Sequence, residues 1–223
     1  MALTYFCFDI GGVASSQENT GKAVALGNEY WGEDFSKTNL KRMLFANLGD
    51  GRDYWREFQN GLLPKEKYLE KSLLAGNLPL SAENKTRLEN CLKTWCGDPY
   101  LPIWEFIFSL KQQMFHTSVL TNNNEIMYNA PSGRIKYLVD VATSSHEIHV
   151  SKPEEEAYIK HLDLIGAKAE DTFCTDDKLV NVQVFQHLGG CGFHFRSKDI
   201  GMDRAFKEML EFLQEKGISY TPT

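Results

Sequence analysis

The sequence predicts an α/β fold, a doubly wound parallel sheet with a helical cap inserted after its first strand. Short apolar runs recur along the chain, and amphipathic helical patterns lie between most of them. One long stretch, residues 16–99, contains helical patterns without a strand-like run. Because strands that alternate with helices pair in parallel through right-handed crossovers, we expect a core of residues 1–15 and 100–223 that carries a cap of residues 16–99.

Five apolar runs have the composition of buried strands: residues 3–8, 117–120, 138–142, 172–174 and 192–195. Each run is followed by polar or turn residues, as expected where a buried strand ends. In open parallel sheets, ligands bind beyond the carboxyl ends of the strands. Polar side chains directly after these runs are therefore the first candidates for a functional site.

Helical spacing of apolar residues marks the segments between these runs. Tyr158, Leu162 and Ile165 share one helix face. Similar patterns begin near residues 184 and 206, and we expect the last helix to stop at Gly217.

Composition and charge narrow the class of function. The chain has 223 residues, enough for one sizeable core or for a core with a smaller inserted unit. Its net charge of −6 and its scattered Lys and Arg argue against nucleic acid and favour a small-molecule ligand. No run approaches the roughly 20 apolar residues of a membrane span. Five cysteines without a C-x-x-C pair favour a reducing compartment, so we expect a cytoplasmic protein of open oligomeric state.

Four short motifs place reactive side chains after strand-like runs. They contain Asp9, Thr121, Lys152 and the adjacent carboxylates Asp176 and Asp177. Taken singly, the aspartate and threonine are as consistent with turns and helix caps as with chemistry. The adjacent carboxylates are harder to explain structurally, because they repel each other unless a cation or donor lies between them.

Together and in this order, the four motifs resemble those of the haloacid dehalogenase superfamily. Asp9 matches the nucleophile of its Asp-x-Asp-Gly-Thr/Val turn, and Thr121 matches its strand-ending hydroxyl residue. Lys152 matches the lysine of the third motif, and Asp177 with Asn181 matches the acidic pair of the fourth. The resemblance covers residues 4–15 and 116–197.

The resemblance implies a catalytic set and a reaction. Asp9, Thr121 and Lys152 would be the catalytic residues, with Gly12 and Asn122 contributing to substrate binding. The Asp9 carboxylate would attack a small phosphorylated substrate, and water would hydrolyse the resulting acyl-phosphate. Charge developing on the phosphoryl oxygens requires fixed donors and positive charge, which the lysine and threonine can supply.

The resemblance also implies a Mg²⁺ cofactor. Its ligands would be the Asp9 carboxylate, the Gly11 carbonyl and the Asp177 carboxylate, oxygen atoms of the kind that Mg²⁺ prefers. Asp176 and Asn181 would hold those ligands in place from behind.

One position departs from the family's phosphatases. They carry a second Asp two residues after the nucleophile as the general acid, and this chain has Gly11 there. Three functions are consistent with this change. The first is a phosphatase whose substrate has a good leaving group or whose cap supplies the acid. The second is a binding or regulatory module with weakened turnover, and the third is a metal-independent 2-haloacid dehalogenase, whose leaving halide needs no proton. The first is favoured, and the adjacent carboxylates argue against the third.

Other notable residues receive structural interpretations. His146 and His149 are close enough for a metal site, but without a third ligand we expect them on the surface. Trp31, Tyr54 and Trp55 are expected in the core or an interface rather than against substrate.

Overall fold

In the computed structural model, which describes residues 3–46 and 48–220, five strands form one parallel sheet. The strands are β1 (Tyr5–Phe8), β2 (His116–Thr121), β3 (Val141–Ser144), β4 (Thr172–Asp176) and β5 (Cys191–His194). Their order across the sheet is β3-β2-β1-β4-β5, and every neighbouring pair is parallel. The predicted α/β class with a parallel sheet is confirmed.

Strand β1 lies at the centre of the sheet and is buried on both faces. Phe6 and Phe8 point into the larger apolar cluster, where they pack with Val119 and Phe173 of the neighbouring strands. Cys7 points to the opposite face and belongs to a second cluster. Because alternate residues of a strand face opposite sides, this run must be apolar throughout, as the sequence shows.

Helices cover both faces of the sheet and connect its strands. In chain order they are α6 (Leu101–Gln112), α7 (Glu125–Tyr128), α8 (Ser145–Ile148), α9 (Glu155–Ile165), α10 (Leu179–His187), α11 (Ser197–Ile200) and α12 (Met202–Gln214), with 3₁₀ turns at Pro131–Tyr137 and Ala169–Asp171. Helices α6 and α12 contribute to the larger cluster, and α9 and α10 to the other.

The segment between β1 and α6 is helical and has an apolar cluster of its own. It comprises α1 (Thr20–Trp31), α2 (Lys37–Leu44), α3 (Tyr54–Gln59), α4 (Lys65–Ala75) and α5 (Ala82–Trp95). The side chain of Ser81 caps α5, and Pro64 directly precedes α4, where its missing N–H costs no hydrogen bond.

Two linkers join this helical segment to the sheet, and they run side by side. The Ser16 N–H donates to the Asp98 carbonyl at 2.8 Å, and the Tyr100 N–H donates to the Ala14 carbonyl at 3.0 Å. The entry to the segment and its exit are therefore fixed next to each other, close to the end of β1.

One predicted boundary is wrong. The third strand was expected at residues 138–142 but spans Val141–Ser144, because Leu138 and Val139 follow a 3₁₀ turn and pack into the larger cluster. An apolar run alone cannot distinguish these two arrangements. The end of the last helix agrees with expectation: α12 ends at Gln214, and Gly217 lies in the turn that stops it, with φ of +80°.

Across the described ranges 3–46 and 48–220, none of the helices has the length and apolar composition that a membrane span requires.

Candidate active site

Asp9 follows β1 directly, at the carboxyl edge of the sheet. Its backbone N–H donates to the Thr175 carbonyl at 3.0 Å, which extends the strand pairing by one residue. The side chain is 12% exposed, and Oδ1 accepts a hydrogen bond from Lys152 Nζ at 2.9 Å. No residue within the described ranges donates to Oδ2. One oxygen of this carboxylate is therefore held, and the other is available.

Lys152 is buried and uses all three N–H groups of its ammonium. These donate to Asp9 Oδ1 at 2.9 Å, to the Leu120 carbonyl at 2.7 Å and to Asp176 Oδ2 at 2.6 Å. The Asn122 amide clamps its backbone, donating to the Lys152 carbonyl at 2.7 Å and accepting from the Lys152 N–H at 2.8 Å. Asn122 was predicted to bind substrate, but its side chain is occupied by Lys152 and its carbonyl by Gln59, so that role would fall to its main-chain N–H.

Asp176 is saturated with hydrogen bonds. Oδ1 accepts from the Lys178 N–H and from Asn181 Nδ2, both at 2.9 Å, while Oδ2 accepts from Lys152. The carboxylate is 2% exposed. This arrangement suits the predicted supporting role of Asp176 and Asn181, since little of the carboxylate is left for a ligand.

Asp177 is held from the other side by residues outside the four motifs. Its Oδ2 lies 3.0 Å from Lys198 Nζ and accepts from Gln17 Nε2 at 3.4 Å. Gln17 also donates to Ser197 Oγ at 2.8 Å, and Ser197 donates to the Gly12 carbonyl at 2.6 Å. Gly12 has φ of +75°, and a Cβ there would lie 2.2 Å from Gln17 Nε2, so this turn requires glycine.

Thr121 and Asn123 close the end of β2. The hydroxyl of Thr121 and the side-chain amide of Asn123 form no hydrogen bond with the described part of the chain, although both residues are buried. The Asn123 carbonyl accepts from Ser144 Oγ at 2.6 Å, which fixes the loop. Both side chains therefore keep donors free for a ligand.

These residues surround a cavity of about 290 Å³ between the sheet edge and the helical segment. Predicted site residues that line it are Asp9, Gly11, Thr121, Asn122, Lys152, Asp177 and Asn181. Gly12 and Asp176 do not line it and lie behind the lining residues. From the helical segment, Phe45, Trp55, Gln59 and Trp95 complete the wall.

Burial and charge perturb the pKa values of the central pair. Burial, together with the Asp176 and Asp177 carboxylates, raises the pKa of Asp9 to about 7, although the Lys152 ammonium opposes this shift. Burial alone would lower the pKa of Lys152, but the Asp176 and Asp9 carboxylates raise it well above its usual value. Lys152 therefore stays protonated, and any positive charge added near Asp9 would favour the ionised form of its carboxylate.

The donor set fits a Mg²⁺ ion. Asp9, Asp176 and Asp177 each present one carboxylate oxygen, and these oxygens all lie within 4.8 Å of one another. Of the three, Asp9 and Asp177 each keep an oxygen without a hydrogen bond from the described residues. Gly11 lines the same cavity, and its carbonyl would be a third oxygen. Hard oxygen donors in such a cluster are those that Mg²⁺ binds in proteins.

Two structural interpretations need correction. His149 is exposed, as expected, but His146 is half-buried. Their Nδ1 atoms lie 3.0 Å from the Asn60 carbonyl and 2.9 Å from the Asn123 carbonyl, respectively. They lie between the sheet edge and the helical segment. Trp55 packs on the cluster of the helical segment, as expected, but it also lines the cavity.

Gln17, Lys198, Ser197 and Asn123 escaped prediction. Gln17 lies in the loop after β1, and Ser197 and Lys198 begin the short helix α11 after β5, where no recognised motif marks them. They join the site around Asp177 only in the folded chain. Asn123 carried a signal, because it adjoins Thr121 and Asn122 after a predicted strand.

Comparison with protein-family models and with curated proteins finds no match. Among solved structures, the HAD family enzyme bt-2542 from Bacteroides thetaiotaomicron is similar with a TM-score of 0.70 and 17% identity, over 87% of this chain and 94% of that one. A predicted HAD-like family hydrolase from Porphyromonas gingivalis gives 0.69 and 19%, over 87% and 91%. The L-2-haloacid dehalogenase RSc1362 gives 0.63 and 14%, over 96% and 100%. The chain therefore has the haloacid dehalogenase fold.

Proposed function

We propose that the protein is a Mg²⁺-dependent phosphatase of a small phosphorylated metabolite, with a sugar phosphate as the leading candidate. One observation carries the proposal. A buried lysine holds Oδ1 of Asp9, while Oδ2 of Asp9 and the Thr121 hydroxyl stay free at one cavity. This arrangement supplies a nucleophile, a fixed positive charge and a donor where a phosphoryl group would bind.

The reaction takes two steps. Asp9 Oδ2 forms a bond to phosphorus, and the bond to the ester oxygen breaks with its electron pair leaving on the alcohol oxygen. Water then attacks the phosphorus of the aspartyl-phosphate, which releases phosphate and restores the Asp9 carboxylate. Lys152 and Thr121 stabilise the negative charge of the phosphoryl oxygens in both steps.

Asp9, Asp177 and the Gly11 carbonyl would hold Mg²⁺, which would neutralise phosphoryl charge when bound. Support comes from a likeness in fold, since bt-2542 has also been solved as a complex with magnesium and inorganic phosphate, at 17% identity to this chain.

The helical segment of residues 16–99 would act as the cap of this site. Gln59 Nε2 donates to the Asn122 carbonyl at 2.7 Å, and Ser145 Oγ donates to the Gln59 carbonyl at 2.7 Å. Arg56 pairs with Glu154 at 2.5 Å. These contacts favour a closed cavity, and closure keeps bulk water from the acyl-phosphate.

The direct test is a hydrolysis screen with 4-nitrophenyl phosphate and a panel of sugar phosphates, with Mg²⁺ and with EDTA. Release of phosphate that depends on Mg²⁺ supports the proposal. Binding of Mg²⁺ without turnover of any phosphate would favour a binding or regulatory module.

A second candidate is dehalogenation, because Gly11 leaves no carboxylic acid at the position where a departing alkoxide would need one. The L-2-haloacid dehalogenase in the comparison has the same fold at 14% identity. Halide release from 2-chloropropionate, unaffected by EDTA, would support this function over the first.

Lys198 makes the metal site testable without turnover. Its ammonium is half-exposed and lies 3.0 Å from Asp177 Oδ2, so it competes with a bound cation for that carboxylate. We expect Lys198→Met to tighten Mg²⁺ binding about two- to fivefold, the scale of a partly exposed ion pair. Calorimetric titration with Mg²⁺ measures the change.

The control is Lys207→Met, which removes the same charge from an exposed pair with Glu211. Equal effects of the two variants would mean that only net charge matters. Unchanged affinity in Lys198→Met would mean that Asp177 does not bind the cation.

A further inference from the structure

The cavity has two chemically different ends. The end at the sheet edge carries charged and polar groups, including Asp9, Lys152 and Thr121. The end formed by the helical segment carries the aromatic side chains Phe45, Trp55 and Trp95. If the phosphoryl group binds at the sheet edge, as the proposed function requires, the organic part of the substrate meets the aromatic end.

The aromatic end is a fixed surface. The ring of Trp55 lies edge-on to Trp95, with centroids 5.9 Å apart, and edge-on to Phe45 at 5.8 Å. Tyr68 supports the same indole from the apolar cluster, at 6.1 Å. Because neighbouring rings already order these side chains, a ligand that stacks on them loses little affinity to side-chain ordering.

Trp55 also differs from the other tryptophans in its hydrogen bonding. The indole N–H groups of Trp31, Trp95 and Trp104 donate to Asn84, to Thr20 and to the Ala14 carbonyl. Within residues 3–46 and 48–220, the N–H of Trp55 has no acceptor. This indole lines the cavity, so it offers a ligand both an apolar face and a donor.

The charges of the wall exclude one class of substrate. Both cations that line the cavity, Lys152 and Lys178, follow strands of the sheet edge, and the one charged lining residue from the helical segment, Glu18, is acidic. No Lys or Arg of the described helical segment lines the wall. A carboxylate held at the aromatic end would therefore lose water without gaining a cation from the helical segment. The cavity volume of about 290 Å³ suits a small metabolite.

We infer that the substrate is a phosphate monoester whose alcohol carries one ring, sugar or aryl, and no carboxylate. Trp55 is the specificity-determining residue, because its face packs on the ring and its N–H can bind a ring hydroxyl. This inference rests on the proposed function for the position of the phosphoryl group.

Non-hydrolysable phosphonates test the inference apart from catalysis. Calorimetry with Mg²⁺ present would compare benzylphosphonate, 4-carboxybenzylphosphonate, a C-glycosyl methylphosphonate and methylphosphonate. We expect the benzyl and glycosyl ligands to bind at least about tenfold more tightly than the methyl ligand, a difference of about 1.4 kcal/mol. The carboxybenzyl ligand should lose most of that gain.

Variants at Trp55 test whether this residue causes the difference in affinity between ring-bearing and methyl phosphonates. Trp55→Ala should remove the gain for both rings, whereas Trp55→Phe should keep the gain for benzyl and reduce it for glycosyl. Phe108→Ala is the matched control, because it truncates a half-exposed ring of α6 that does not line the cavity. Melting temperatures identify any variant that fails to fold, and the ligand series on the unaltered protein does not depend on the variants.

The inference is overturned if methyl- and benzylphosphonate bind equally, if neither binds, or if the carboxybenzyl ligand binds most tightly. Failure of the proposed function looks different. A protein that binds the ring phosphonates with this preference but hydrolyses no phosphate keeps the ligand class and loses the phosphatase assignment.

Discussion

Asp9→Asn is expected to lower the rate of phosphate ester hydrolysis by about 10⁴-fold or more, the scale reported when the nucleophile of a hydrolase is removed. The amide keeps the size of the carboxylate but cannot form the acyl-phosphate. The fold should persist, because burial already raises the pKa of Asp9 to about 7 and a neutral amide avoids that burial cost. Lys152 keeps its bonds to Asp176 and the Leu120 carbonyl.

Steady-state rates with 4-nitrophenyl phosphate and Mg²⁺ measure the effect, and melting curves confirm folding. Asp163→Asn is the control, since it makes the same chemical change at an exposed position of α9. If Asp9→Asn turns over at a rate near that of the unaltered protein, another group attacks the substrate and the proposed mechanism is wrong.

The sheet could be predicted because its strands are buried on both faces. The run that ends at Phe8 is apolar or aromatic from Tyr5 onward, and Asp9 follows it at once. The third strand was misplaced because Leu138 and Val139 are just as apolar, although they pack from a 3₁₀ turn. The apolar composition of residues 138–142 indicates that they are buried. Which of them form a strand depends instead on their pairing with β2.

The residues of the candidate site were likewise only partly predictable from the sequence. Asp9, Thr121 and Asp177 adjoin predicted strands, and the parallel sheet brings strand ends together, so topology alone predicts their proximity. Gln17, from a loop, and Lys198, from the short helix α11, meet Asp177 across 160 and 21 residues of chain, and neither belongs to a motif. Their contacts depend on the conformation of the segments after β1 and β5, which no periodic pattern encodes.

The role of Trp55 at the aromatic end of the cavity could not be predicted from the sequence, for a related reason. Trp55 has an apolar ring at helical spacing from Phe58, and such a ring is most often part of a core. It does pack on one, against Tyr68, while another part of it faces the cavity. A residue with both roles has the sequence pattern of the commoner one.

Gly11 sets the expected leaving-group dependence of the unaltered protein. Without a carboxylic acid at this position, an alkoxide would have to leave unprotonated, whereas a phenolate is already a good leaving group. We therefore expect aryl phosphates to be hydrolysed much faster than simple alkyl phosphates. Equal rates for the two classes would show that another residue donates the proton.

Gly11→Asp should restore the missing acid and raise hydrolysis of alkyl phosphates by about 10²-fold, the low end of general acid catalysis. The backbone can accept the side chain, because φ at Gly11 lies outside the left-handed region and no atom would lie within 4 Å of an added Cβ. The residue is exposed and lines the cavity, so the new carboxyl group can reach the leaving oxygen.

Values of kcat/KM for ethyl and 4-nitrophenyl phosphate, measured with Mg²⁺, give the result. Gly11→Asn is the matched control, since its amide has the same size but no acidic proton. An equal rise of kcat/KM in the Asn variant would indicate a change in substrate binding rather than proton donation. An equal rise for the aryl ester would mean that protonation of the leaving group does not limit the rate.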